Sequence, residues 1–131
     1  MTSHLIHKKL DNDLPATLSA KVLKDLLRSK MRFNGVIISD DPSMGAISKY
    51  YSLKETLLLM IDAGVDMFCF GNNLHYDQNL LKKVFKILVE LYEEKQISED
   101  QIHTSYKRIM TLKESIAVSY THLTLPTKRI V

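Results

Sequence analysis

The chain has 131 residues, enough for one globular domain with a small core and too few for two. Its formal charge of +3 selects no acidic partner, because Lys128 and Arg129 lie in a tail without acidic residues and removing them leaves +1. A single cysteine, Cys69, excludes an internal disulfide, and no apolar stretch approaches the roughly 20 residues of a membrane-spanning helix.

The first segment, residues 1–6, is apolar-leaning and reads as a strand, followed by a turn through Asp11, Asn12, Asp13 and Pro15. His7 and Lys8 fall in the connecting loop. Ser19 then precedes Val22, Leu23, Leu26, Leu27 and Met31, whose spacing predicts an amphipathic helix with Lys21, Lys24, Asp25 and Arg28 on its outer side. Asn34-Gly35 ends that helix. Val36-Ile37-Ile38 is an unbroken β-branched run, the pattern of a strand buried on both faces, with Asp40 just past its C-terminal end.

Ser52 with Glu55 forms a capping box that opens a helix through Leu57, Leu58 and Ile61, and Ala63-Gly64 closes it. The apolar run 65–70 predicts a third strand and places Cys69 in the core. Beyond the loop Gly71-Asn72-Asn73, a helix carries Leu80, Leu81, Val84, Phe85, Leu88, Leu91 and Tyr92. His75 and Tyr76 before it read as surface, and the clustered Lys82, Lys83 and Lys86 as its solvated side, with no aromatic interleaving to suggest nucleic-acid contact. A last helix starts at Ser98, with Gln101 completing a second capping box, and its apolar pattern ends at Ile116.

Strand alternating with helix three times, with no hairpin signal, describes successive βα units and a parallel sheet, so the expected class is α/β. Three strands cannot close an eight-stranded barrel, which leaves a small open sheet or part of something larger. Residues 118–131 lack a continuing helical period. The stretch 118–127 resembles the translation of an adapter used in transposase-based sequencing libraries, and the tail is set aside from the expected domain, residues 1–117.

The chemistry points to Asp40. In parallel α/β folds ligands collect at the C-terminal ends of strands, where a carboxylate faces the site; a strand-terminating aspartate that bonds loop amides is the alternative. Asp41 is not its acid/base partner, because neighbours on an extended chain point in opposite directions.

A resemblance extends this reading over nearly all of residues 1–116. Met1-Thr2-Ser3-His4, Pro15-Ala16-Thr17-Leu18-Ser19, the stretch 33–41 with Ser43-Met44, Ala63-Gly64-Val65-Asp66-Met67, and Arg108-Ile109 with Leu112-Lys113 occur in the order of motifs of glycoside hydrolase family 3, and Asp-Asp with Ser-Met resembles its β-N-acetylhexosaminidase subgroup. The resemblance implies the last three βα units of a (β/α)₈ TIM barrel and a retaining hydrolase acting on an oligosaccharide, without cofactor or metal, with Asp40 as nucleophile. It makes Met44 a candidate substrate-binding residue. His4, at the end of the first strand, is a candidate for lining the pocket, a structural histidine being the alternative. Pro42 stands where the family pattern has leucine, which stiffens the loop after Asp40.

The subgroup's general acid is a histidine in a Gly-His-Gly-Asp-Thr type segment, and the chain contains no such segment. An inactive fragment is therefore expected, a purely structural or interaction module being the competing reading. A receiver-type phosphoacceptor domain also ends a β-branched strand in aspartate, but its following strand ends in Thr or Ser, where this chain has Gly71-Asn72-Asn73. Recycling-type relatives imply a cytoplasmic location, with periplasmic or secreted as alternatives.

Overall fold

The computed structural model describes residues 1–73 and 75–124, with side chains through residue 117. The elements run in chain order as a short 3₁₀ turn Ala16–Leu18, a helix Lys21–Lys30, a single helical turn Gly45–Ser48, and helices Leu53–Ala63, Leu80–Glu93 and Glu99–Thr124. Leu18, Leu23, Ile37, Ile47, Leu57, Met60, Val65, Val84, Leu91 and Ile97 form one buried cluster, with the Leu53–Ala63 helix at its centre. Among the described residues no helix is long and apolar enough to cross a membrane.

The helix termini follow local chemistry. Ser52 accepts from the Glu55 amide while the Glu55 side chain takes the Ser52 amide, so two of the orphan N–H groups at the helix start are satisfied. Gly64 closes the same helix at φ 93°, a left-handed conformation that glycine adopts without a side-chain clash. Ser98 and Gln101 repeat the reciprocal cap at the start of the last helix.

Three expectations are corrected. The predicted strands are not regular strands among the described residues: residues 1–6, 36–38 and 65–70 are extended, and the only ladder contact is an isolated parallel bridge, Ile38 with Met67. Met67 N–H donates to Ile37 O and Ser39 N–H to Met67 O, the two bonds of a parallel rung. The next rungs are diverted into side chains. Ile37 N–H goes to the Asp66 carboxylate at 2.8 Å, and Cys69 N–H goes to the buried Ser39 hydroxyl at 3.0 Å. On the other side Thr2 N–H donates to Ile38 O at 2.9 Å, so residues 36–40 lie between the other two segments. Val36 and Ile38 are accordingly half-buried rather than enclosed on both faces, and Cys69 is exposed rather than in the core.

Second, the Lys21–Lys30 helix is π-wound, with Met31 N–H reaching Leu26 O at 2.9 Å. An i→i+5 winding brings residue 28 round over the buried Leu23, where an α-helix would carry it to the outer side. Arg28 is therefore turned inward, and Met31, expected inside, is 65% exposed. Third, the last helix continues to Thr124 instead of ending at Ile116, so its backbone runs into the segment set aside as a tail.

Candidate active site

Asp40 follows the extended segment 36–39 and is half-buried. Its amide donates to Thr2 Oγ1 at 3.1 Å, and its Oδ1 accepts the Asp41 amide at 2.8 Å. Oδ2 takes no hydrogen bond from the described residues. One carboxylate oxygen is thus held by the backbone and the other is open.

Asp41 faces elsewhere, as the alternation of an extended chain requires. Its Oδ1 accepts from the Ser43 amide at 2.9 Å and the Ser43 hydroxyl at 2.7 Å, while Oδ2 accepts from Gly71 N–H at 3.0 Å. Burial pushes the Asp41 carboxyl up, but the Ser43 and Gly71 hydrogen bonds and the nearby His4 outweigh it and hold it below the usual carboxylate range. A Cβ at Gly71 would lie 2.7 Å from Asp41 Oδ2, so a larger residue there would have to push that carboxylate aside. Asp41 therefore ties the loop after the 36–40 segment to the loop after the 65–70 segment.

His4 is half-buried with both ring nitrogens engaged by protein: Nδ1 lies 3.0 Å from Thr17 Oγ1 and Nε2 lies 2.8 Å from the Asp41 carbonyl. A carbonyl only accepts, so Nε2 carries the hydrogen. Met44 borders the same loop, 40% exposed, at the start of the Gly45–Ser48 turn. The structure thus gathers His4, Asp40 and Met44 into one region, with Thr2, Thr17 and Gly71 supporting it. Those three went unassigned in the sequence. Thr17 lies inside a motif recognised there, yet only the fold shows that its hydroxyl meets residues 2–4.

Asp66, like Asp11, is a buried carboxylate, and it sits level with Ile37 at the opposite end of the segment. Its oxygens receive Arg28 at 2.6 Å, Ile37 N–H at 2.8 Å, Ser105 at 2.8 Å and Arg108 at 3.0 Å. A cavity of about 490 Å³ lies beside this network, with Arg28, Phe68, Ser105 and Arg108 in its wall, and does not include Asp40. All four polar groups on Asp66 are partners of a saturated carboxylate, whereas Asp40 has an open oxygen. Asp40 is therefore the candidate for chemistry rather than the cavity beside Asp66.

Residues 1–112 match the sequence model of the glycosyl hydrolase family 3 N terminal domain. The chain is 29% identical over 105 residues to a beta-N-acetylglucosaminidase/beta-glucosidase of Cellulomonas fimi, covering 80% of this chain and 17% of that protein. It is 39% identical over 72 residues to a beta-hexosaminidase of Methylobacillus flagellatus, covering 55% and 20%. Among solved structures it resembles a family 3 beta-N-acetylglucosaminidase from Paenibacillus sp. at TM-score 0.81 and 32% identity, over 91% of this chain and 22% of that one. It also resembles the beta-N-acetylglucosaminidase from Thermotoga maritima at TM-score 0.76 and 35% identity, over 85% and 24%. The chain therefore spans about a fifth of the length of the relatives it matches. Likeness to these structures makes the fold class α/β where the sparse ladder alone would not. With most of its length matched, this chain belongs to glycosyl hydrolase family 3, in the N-terminal domain of that family.

Proposed function

We propose that this chain carries the nucleophile of a retaining β-N-acetylhexosaminidase that releases terminal N-acetylglucosamine from peptidoglycan- or chitin-type oligosaccharides. Residues 1–117 would form the last three βα units of a (β/α)₈ barrel, a reading supported by the order of the family-like motifs, by the parallel register at Ile38 and Met67, and by likeness to solved family 3 structures. The observation that carries the catalytic assignment is the asymmetry of the Asp40 carboxylate: Oδ1 is held by the Asp41 amide and Oδ2 is open.

A nucleophile must be ionised and aimed. The Asp41 N–H fixes the rotation of the Asp40 carboxylate, leaving Oδ2 to attack the anomeric carbon. The C1–Oδ2 bond forms as the bond from C1 to the leaving oxygen breaks, and water later takes C1 and returns the free carboxylate. Met44 offers the sugar an apolar contact. His4 has spent both ring nitrogens on Thr17 and Asp41, so any contact it makes with sugar is through its ring face. The acid that protonates the leaving oxygen is supplied from outside these residues. The resemblance to recycling-type enzymes favours a cytoplasmic location, with periplasmic or secreted as the alternative.

The test uses the complete enzyme whose reading frame contains these residues, with a chromogenic β-N-acetylglucosaminide as substrate. Asp40→Asn is expected to lower kcat by at least about 10⁴-fold, the scale of other nucleophile deletions. A variant that retained wild-type turnover would remove Asp40 from the mechanism.

A further inference from the structure

The peptide groups around Asp40 lie where the backbone ladder has already ended. The last rung is Ser39 N–H to Met67 O, so no strand partner fixes the backbone at residues 40 and 41. Met44 N–H holds the Asp41 carbonyl at 3.2 Å and Ser43 and Gly71 hold its carboxylate, while the side chains that reach the Asp40 amide and the Asp41 carbonyl meet at one buried atom. Thr17 is fully buried, and its Oγ1 has three neighbours: the Ser3 carbonyl at 2.9 Å, Thr2 Oγ1 at 2.9 Å and His4 Nδ1 at 3.0 Å.

A hydroxyl owns one hydrogen and two acceptor positions. Ser3 O can only accept, so the Thr17 hydrogen goes there, and the Thr2 hydroxyl and His4 Nδ1–H donate into Thr17. If His4 is neutral, its hydrogen stays on Nε2 for the Asp41 carbonyl and Thr17 turns its own hydrogen to Nδ1; Ser3 O then keeps the Thr17 amide at 3.1 Å. The second arrangement gives up the Thr17 hydroxyl bond to Ser3 O, but in both the Thr2 and His4 arms remain joined to Thr17 Oγ1.

We propose that Thr17 is a positioning residue for Asp40. One arm runs through Thr2 to the Asp40 amide, and the other runs through His4 to the Asp41 carbonyl. Held at both ends, the two-residue segment presents the Asp40 carboxylate in one direction. The assignment rests on Asp40 being the nucleophile, and it gives His4 a role at one remove from the sugar. Displacing a reacting atom by about 1 Å costs on the order of 10²-fold in rate, so loss of the junction should appear in kcat.

The experiment compares Thr17→Val and Thr17→Ser in the complete enzyme. Valine keeps the shape and removes the hydroxyl, whereas serine keeps the hydroxyl and removes a methyl. A positioning role predicts that Thr17→Val loses about 10- to 100-fold in kcat with KM within about twofold, and that Thr17→Ser restores most of kcat. A packing role predicts the reverse ranking, and that result overturns the proposal. Thr2→Val, at a half-buried position, cuts only the Asp40 arm and is expected to lower kcat in the same way; it reports if Thr17→Val fails to fold. The two failures separate in one assay. If Asp40→Asn is dead while Thr17→Val and Thr2→Val match wild type, the relay alone is wrong; if Asp40→Asn is active, the catalytic reading falls and the relay with it.

Discussion

Asp11 shows how one side chain can make stability depend on pH at a distance from the chemistry. It is 4% exposed in the turn before the Lys21–Lys30 helix. The Ser19 hydroxyl at 2.6 Å is the largest influence on it; the Asp13 and Leu14 amides and Lys21 at 3.6 Å act in the same direction against burial. Together they lower its pKa from 3.8 to about 2. A carboxyl with a depressed folded-state pKa contributes stability that is fully present above the unfolded value, near pH 4, and is lost as pH falls through about 2. The size is roughly 2 kcal/mol. Ser19→Ala removes the largest cause, so the acid unfolding midpoint, followed by circular dichroism, should move to higher pH while the neutral-pH protein loses up to that amount. An unchanged acid midpoint would mean that Ser19 does not hold Asp11.

Between elements, the strongest tie is Asp66, which joins the Lys21–Lys30 helix through Arg28, the 36–40 segment through Ile37, and the last helix through Ser105 and Arg108. Its side chain is fully buried and that of Arg28 is 11% exposed, so the Arg28 charge has little water to fall back on. Arg28 Nε is already buried without a partner. Asp66→Ala should therefore destabilise by about 3–5 kcal/mol, the cost of stranding a buried charge, as read from a urea unfolding midpoint. A loss below about 1 kcal/mol would show that water replaces the carboxylate. The same residue explains what the sequence did and did not reveal. Capping boxes at Ser52 and Ser98 and the glycine stop at Gly64 were legible, because each depends on residues within a few positions. The strand pattern at 36–38 and 65–70 correctly located two adjacent parallel segments, but not how little ladder they form. The diverting groups, Asp66 and Ser39, act across about 30 residues of chain. Arg28 was placed outside because the expected helix was α-wound. At the site, the position after a β-branched run made Asp40 a candidate and the family resemblance made it the proposed nucleophile, whereas the Thr17 junction depends on the fold bringing residues 2–4 onto residue 17.

Under the proposed function, the described residues hold half of a reaction centre. A double displacement needs a proton donor about 5–5.5 Å from the nucleophile, or a group serving that purpose, in addition to the carboxylate that attacks. Asp41 is the carboxyl nearest in sequence, but its lowered pKa keeps it ionised near neutral pH, and its oxygens are committed to Ser43 and Gly71. His4 directs its Nε2 hydrogen at a backbone carbonyl. Large apolar side chains also stand open on the Leu80–Glu93 helix, with Leu81 at 81% and Phe85 at 68% exposure, so the surface resembles an interior face more than a finished exterior. The 131-residue chain alone is therefore expected to leave a chromogenic β-N-acetylglucosaminide unhydrolysed, with wild type and Asp40→Asn both at the buffer rate. Turnover by the wild-type chain that Asp40→Asn abolishes would show that a proton donor lies within these residues, and the proposed division of the reaction would have to be redrawn.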